Sequence, residues 1–246
     1  MGTPIREEFP TLSAAPRAPI VNRLLAALPA KDRERLRACG EVVELAFTQV
    51  LANPGEAVRH VYFPAESFIS LVTPMGGKAT LEIALAGNEG MFGVSVALGA
   101  PESNVHALVQ GAGSALRIGA VAFRRELAAN PTLTRNVNRY IHVLIGQLAQ
   151  TAGCNRFHVV EQRLARWLLM TSDRAHSSTF HLTHEFLAFM LGVRRVGITK
   201  AARALQAHKL ISYSRGDVSI LDRAGLERAS CSCYRTDLDT YARTLG

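Results

Sequence analysis

Residues 192–206 read GVRRVGITKAARALQ. Arg194, Arg195, Lys200 and Arg203 carry the charge, and no acidic side chain offsets them. Between them stand Val, Gly, Ile, Thr and several Ala, a small-residue helical composition with a basic side. The shortage of acid extends beyond this stretch. From Phe186 to Gly216 there are six Lys or Arg and no Asp or Glu. A solvated helix face usually mixes both signs. A face of one sign suits an anionic polymer, whose condensed counterions it releases.

The flanking text gives this helix, expected over 194–209, its setting. Upstream, TFHLTHEFLAFMLGV offers Thr183 as an N-cap for a helix that stops at Gly192. Before that, NRFHVVEQRLARWLLMTSDRA places Val160, Leu164, Trp167 and Leu168 on one face. Downstream, LISYSRGDVSILD alternates apolar and polar residues around Arg215-Gly216-Asp217, a hairpin signal. Three helices with a short Gly-containing turn, then a hairpin, predict a winged helix-turn-helix over 154–225. Its third helix would enter the major groove of duplex DNA, N-terminal residues against the base edges. Candidate DNA-binding residues are Thr183, Arg194, Arg195, Val196, Thr199, Lys200, Arg203 and Arg215. Arg195 suits guanine, where a bidentate pair is worth about 1–3 kcal/mol, and Val196 suits a thymine methyl. Thr199 and Lys200 fall within reach of bases or phosphates. Arg203 suits phosphate, and Thr183 has a hydroxyl and a backbone N–H to offer one. No Ser or Thr caps the basic helix, so its first turn is expected to order only on DNA.

The first half changes period. Residues 20–39 are helical in pattern, broken at Pro29. EVVELAFTQVLANPGE, VRHVYFPAES, FISLVTPMGG, ATLEIALAGNEG and NVHALVQGAGSALRIG then give short apolar runs punctuated by Gly, Pro and Asn. They predict an antiparallel β-roll or jelly-roll barrel at about 41–119, in a domain spanning 21–130. VAFRRELAANP reads as a short helix. The stretch 131–153 then spaces Val137, Ile141, Leu144, Leu148 and Thr151 at 4, 3, 4 and 3, a seam about 35 Å long. It could pack on its own barrel or on a second copy. A helix of that length has little of its own chain to cover it, which favours a homodimer. Residues 1–20, rich in Pro, Ala and Ser, read as a mobile arm, and 226–246 as a C-terminal tail. The fold class is α+β.

The 246 residues are 48% hydrophobic and carry a formal net charge of +8. Six of those eight charges fall in 155–246, which hold 14 Lys and Arg against 8 Asp and Glu. No run approaches the roughly 18 apolar residues of a spanning helix, and the N-terminus lacks a signal's apolar core. A cytoplasmic protein without a membrane partner is expected. Cys39, Cys154, Cys231 and Cys233 are too few and scattered for a disulfide framework. Cys231 and Cys233 form a CxC pair without two further ligands at zinc spacing, and read as structural or incidental. Cys154 and His158, one helical turn apart, mimic a nucleophile–base pair but lack a third group. Neither an enzyme nor a metal site nor a required cofactor is expected.

On the order of barrel, long helix and winged helix, the chain resembles the Crp/Fnr family of bacterial transcription regulators over about 21–225. NPGEAVRHVYF, RLARWLLM and LTHEFLAFMLGVRR…L…HKLISYSRGDVSILD carry the resemblance locally. It implies a cytosolic homodimer on a palindromic operator, contact with RNA polymerase, and a small effector in the barrel. It also implies an effector site at Glu89, Gly90, Val94, Glu102 and Ser103, and a dimer interface along Val137, Ile141, Leu144 and Leu148. The text departs where cyclic-nucleotide-binding members hold the cyclic phosphate. In MFGVSVALGAPESNVHALV, Val94 stands in place of a Glu and Glu102 in place of the phosphate-binding Arg. A carboxylate repels a phosphate, so cyclic AMP is not the expected effector, whose identity stays open. Glu89, in GNEG, is a displaced remnant of that pocket or, more simply, a turn residue. Residues 1–38 hold no Cys, which leaves no N-terminal iron–sulfur ligands. In the recognition helix Arg195 keeps the family's Arg while Val196 and Gly197 replace Glu and Thr, so the half-site should differ from the usual one. An alternative is a ligand- or partner-binding signalling protein with only nonspecific nucleic-acid affinity.

Overall fold

The computed structural model describes residues 21–76 and 80–246, and the arm expected over 1–20 lies outside the described residues. Two short helices lead in, α1 (Arg23–Ala26) and α2 (Ala30–Ala38), separated at Pro29 as expected. Asn22 caps α1 by accepting the Leu25 N–H at 3.3 Å, and its amide donates to the Pro64 and Gly90 carbonyls at 2.9 and 2.8 Å. One buried Asn thus pins the leading helix to the barrel.

The barrel is built from β1 (Gly40–Leu45), β2 (Val50–Ala52), β3 (His60–Pro64), β4 (Phe68–Pro74), β5 (Thr80–Ala86), β6 (His106–Gly111) and β7 (Gly113–Gly119). A single turn, α3 (Val94–Ala97), bridges β5 and β6. The strands form two antiparallel sheets, ordered β1-β7-β3 and β2-β6-β4-β5. Val61, Phe63, Ile69, Ala107, Val109 and Ile118 are buried to 1% exposure or less, so the interior is a dry apolar core.

After α4 (Ala120–Ala129), Asn130 accepts the Leu133 N–H at 3.0 Å and Pro131 opens α5 (Pro131–Phe157). The helix runs four residues past its expected end at 153. Gly153 does not stop it, and His158, in an extended conformation, does. The seam expected at a dimer interface faces inward. Val137 and Leu144 are buried, and Ile141 and Leu148 half-buried, in the same cluster as the barrel core. The stretch 226–246 is likewise no tail. It forms most of α9 (Arg223–Ala229) and all of α10 (Cys233–Leu245), and α10 returns along α5, where Tyr241 and Leu245 join that cluster. The long helix therefore has more of its own chain to pack on than its sequence neighbourhood suggests.

The remaining elements are α6 (Val160–Ala175), β8 (Thr179–His181), α7 (His184–Leu191), α8 (Arg195–Ala207), β9 (Ile211–Ser214) and β10 (Asp217–Ile220). The wing is three-stranded, ordered β8-β10-β9, one strand more than expected. Leu164, Leu168, Leu187, Ile198 and Leu205 make a second core, which takes in Phe68, Val72 and Leu85 from the barrel. The two halves of the chain thus share packed surface rather than a linker.

Candidate nucleic-acid interface and associated sites

Helix α7 begins as the sequence requires. Thr183 Oγ1 accepts the Phe186 N–H at 3.1 Å, and Gly192 ends the helix at φ 62°. That left-handed turn is cheap for glycine, and it lets α8 start three residues later at an angle to α7. Arg194 is the N-cap residue of α8 and makes no side-chain cap bond. The first turn is nevertheless helical without DNA, contrary to the expectation that it orders only on a duplex, because Ile198 and Ala201 anchor it in the core.

The faces of α8 divide cleanly. Ile198, Ala201, Ala202 and Leu205 are buried, while Arg194, Arg195, Val196, Lys200 and Arg203 are exposed. Val196 is 59% exposed, so among the described residues most of its apolar surface is left uncovered. None of the four basic groups has a salt-bridge partner among the described residues. Arg215 and Gly216 turn the wing with φ 52° and 93°, both left-handed, as a two-residue hairpin requires. Thr183 is exposed at the start of α7.

Thr199 is placed differently. Its hydroxyl is half-buried, 3.1 Å from His184 Nδ1 and 3.1 Å from the Arg195 carbonyl. It braces the helix pair instead of pointing outward. His184 stacks on Tyr213 at 4.4 Å, and the Tyr213 hydroxyl donates to the Leu182 carbonyl. Burial, then the charges of Arg195 and Arg203, hold His184 below its usual range, hence neutral. Sequence reasoning missed His184. Its place in the first turn of α7, beside Thr183, was the available signal.

Of the expected effector residues, Val94 and Ser103 share one cavity, while Glu89, Gly90 and Glu102 lie outside it. A cavity of about 310 Å³ lies between the barrel and α5, lined by Leu71, Ile83, Met91, Phe92, Val94 and, from α5, Leu144 and Leu148. Ser103 also lines it, but its hydroxyl is spent on the Val105 carbonyl at 2.7 Å. Among the described residues no charged side chain lines it. Glu102 is exposed and bridged to Ala57, and Gly90 packs flat against the Tyr140 ring. Glu89 is both a turn residue and a strut. It accepts the Gly87 N–H at 3.2 Å and pairs with buried Arg174 of α6 at 2.7 Å.

A second buried carboxyl sits where the barrel meets α6. Glu82 of β5 accepts from Ser70 Oγ at 2.5 Å and from the Trp167 indole N–H at 2.8 Å. Burial outweighs these donors and pushes its carboxyl up to about 7.

At the end of α5 the structure joins residues that the sequence left apart. Cys154 Sγ lies 3.5 Å from Cys231 Sγ, and Cys233 Sγ 3.4 Å from His158 Nδ1. Contact with the Cys231 thiol, aided by the charge of Arg166, holds Cys154 below the usual thiol range, and the same contact pushes Cys231 up.

Comparison with known proteins agrees with this geometry. Residues 162–229 match the Crp-like helix-turn-helix domain. No curated protein sequence matches the chain. Among solved structures, the chain is similar to a putative transcriptional regulator of the Crp/Fnr family from Eubacterium rectale. That match has 16% identity and a TM-score of 0.67, over 84% of this chain and 96% of that one. It is also similar to CLP, the c-di-GMP-responsive global regulator of Xanthomonas campestris, with 15% identity and a TM-score of 0.65, over 78% and 99%. A CRP-family transcriptional regulator from Thermus thermophilus matches at 20% identity and a TM-score of 0.63, over 76% and 96%. These likenesses establish the fold. Among the described residues no helix is long and apolar enough to cross a membrane.

Proposed function

We propose that this chain, with a Crp-like helix-turn-helix domain on the Crp/Fnr fold, is a DNA-binding transcription regulator that acts as a homodimer on a palindromic operator. The observation that carries this is the outward face of α8, where Arg195, Val196, Lys200 and Arg203 stand unpaired over an anchored core face. Arg195 and Val196, in its first turn, meet base edges, while Lys200, Arg203, Arg194, Arg215 and Thr183 hold phosphates. The alternative, nonspecific binding, needs charge but has no use for an exposed Val among the arginines.

The dimer seam moves about 100° around α5. Asn138, His142, Ile145, Ala149, Ala152 and Arg156 are all exposed and spaced 4, 3, 4, 3 and 4. This heptad row, apolar and small at its centre, supports close approach of a second α5. The cavity supports a neutral, largely apolar effector, because among the described residues no cation lines it to meet a phosphate. RNA polymerase is the expected partner at the promoter.

Selection of bound sites from random duplexes tests the reading. A two-fold-symmetric site preferred at least about a thousandfold over random DNA is expected. Arg195→Ala should relax one base pair per half-site, whereas Arg203→Ala should weaken all sequences alike and reduce the salt slope by about one. Equal affinity for every duplex would refute it in favour of the nonspecific alternative.

A further inference from the structure

Cys154, His158, Cys231 and Cys233 offer four ligand atoms that all lie within 4.8 Å of one another. The fold makes this cluster from two distant pieces. Cys154 and His158 are one turn apart at the end of α5, so they share a face. Cys231 lies in the turn between α9 and α10 and Cys233 opens α10, and the return of α10 along α5 brings both to the same point. The three cysteines are buried to 4% exposure or less and form a cluster separate from both hydrophobic cores.

We propose that these four side chains bind one zinc ion, as a tetrahedral Cys3His site that ties the end of α5 to the α9–α10 turn. With Zn–S bonds of about 2.3 Å, the edges of such a tetrahedron are about 3.8 Å. The 3.5 Å Cys154–Cys231 separation and the 3.4 Å Cys233–His158 separation are two opposite edges already near that length. Cysteines packed simply as small apolar groups would be surrounded by carbon. Here the Gln150 amide donates to Cys233 Sγ at 2.9 Å, as an outer-shell donor to a thiolate does. Three thiolates, one neutral imidazole and Zn2+ carry a net charge of −1. Arg163 and Arg166 line a cavity together with Cys154. Arg166 is matched by Asp237 at 2.7 Å, which leaves Arg163 to balance the site. The ligand atoms are too close together to span an iron–sulfur cluster, and the N/S set with tetrahedral edges selects zinc among common ions. His158 is only half-buried and provides the path of entry.

The site straddles the joint at His158 and Val159, where α5 gives way to α6. An ion there fixes the direction in which the DNA-binding head leaves the long helix, and its binding energy becomes folding energy. The inference stands on side-chain geometry and does not depend on DNA recognition.

The test uses the full chain, purified with reductant, stripped with chelator and titrated with Zn2+ or Co2+. The expected result is one metal per chain, Co2+ absorption typical of a tetrahedral thiolate-rich site, and a higher melting temperature on zinc addition. Cys231→Ser with Cys233→Ser should abolish the spectrum. His158→Ala, at a half-buried position, should weaken zinc by more than the roughly 100-fold an outer-shell partner is worth, and Gln150→Leu by about 10- to 100-fold. Gln150→Leu keeps every ligand, so it reads affinity even where the cysteine variants fold poorly. Substoichiometric metal, an octahedral Co2+ spectrum, or a spectrum that survives loss of both cysteines would overturn the proposal. So would reduced protein that ignores zinc but forms a Cys154–Cys231 disulfide on oxidation. Zinc uptake by a protein indifferent to DNA would sink the regulator reading and leave this site intact.

Discussion

Replacing Glu82 by Gln should stabilise the protein at alkaline pH and do little at acid pH. Glu82 is buried between β5 and α6, and its carboxyl is raised from 4.5 to about 7, first by burial and against the Ser70 and Trp167 donors. A carboxyl raised in the folded state contributes stability below its unfolded value, and that stability is lost as pH climbs through the folded value. The interval from 4.5 to about 7 corresponds to about 3 kcal/mol at roughly 1.4 kcal/mol per decade. Gln has the same shape. Its carbonyl accepts from Trp167, its amide donates to Ser70 Oγ, and it carries no charge to desolvate. Urea unfolding of wild type and Glu82→Gln across pH 4–9 should give curves that meet near pH 4. Above pH 7 they should separate by about 3 kcal/mol in favour of Gln. Parallel curves would refute the reasoning, and so would a variant less stable than wild type at pH 8. Either result would mean that the hydrogen bonds and nearby guanidiniums, not burial, set the protonation state of Glu82.

Three further outcomes follow from the same coordinates. Gly90→Ala should cost about 1–3 kcal/mol by chemical denaturation, because a Cβ there collides with the buried Tyr140 ring. Asp237→Ala should cost about 3–5 kcal/mol, since it leaves Arg166, only 8% exposed, without its carboxylate. Ile145→Glu, on the exposed row of α5, should convert the proposed dimer to monomer in sedimentation while leaving the melting profile of the monomer unit unchanged. Leu144→Glu, one residue earlier but buried, should instead unfold the barrel.

The parts of the fold legible in sequence were those written in local periods. The winged helix-turn-helix showed itself through Thr183, Gly192, the apolar set Ile198, Ala201, Ala202 and Leu205, and the turn at Arg215-Gly216. Each is a contact between near neighbours. The barrel's strands were legible as short apolar runs, but their order was not. Pairing β7 with both β1 and β3 closes loops of more than fifty residues, and no local rule specifies such partners. The reversed reading of α5 has one cause. Val137, Ile141, Leu144 and Leu148 were recognised as a seam, yet what covers a seam depends on what comes back to it. Asp222 accepts the Gly225 N–H at 2.9 Å as an N-cap, and Tyr234, Asp237, Tyr241 and Leu245 repeat at helical spacing. Those signals were present in the supposed tail. Cys154 with His158, and Cys231 with Cys233, each lack further ligands in their own stretch of sequence, and only the return of α10 brings the two pairs within 4.8 Å of each other.

The candidate sites meet on one element. Helix α5 has 27 residues and is about 40 Å long. Leu144 and Leu148 on its inner side line the apolar cavity, and Ile145 and Ala149, about 100° around the axis, lie on the exposed row proposed above to meet a second copy. Its last turn carries two of the four zinc-ligand candidates. A molecule that fills the cavity presses on Leu144 and Leu148, and a close-packed helix answers by tilting or rotating as a body rather than by compressing. In the proposed dimer such a rotation would move Ile145 against its counterpart and swing the joint at His158, through which the head bearing α8 is held. Coupling between cavity and DNA therefore needs no chain of individual side chains. It needs a rigid rod with two arrangements, and a ligand or ion that prefers one of them.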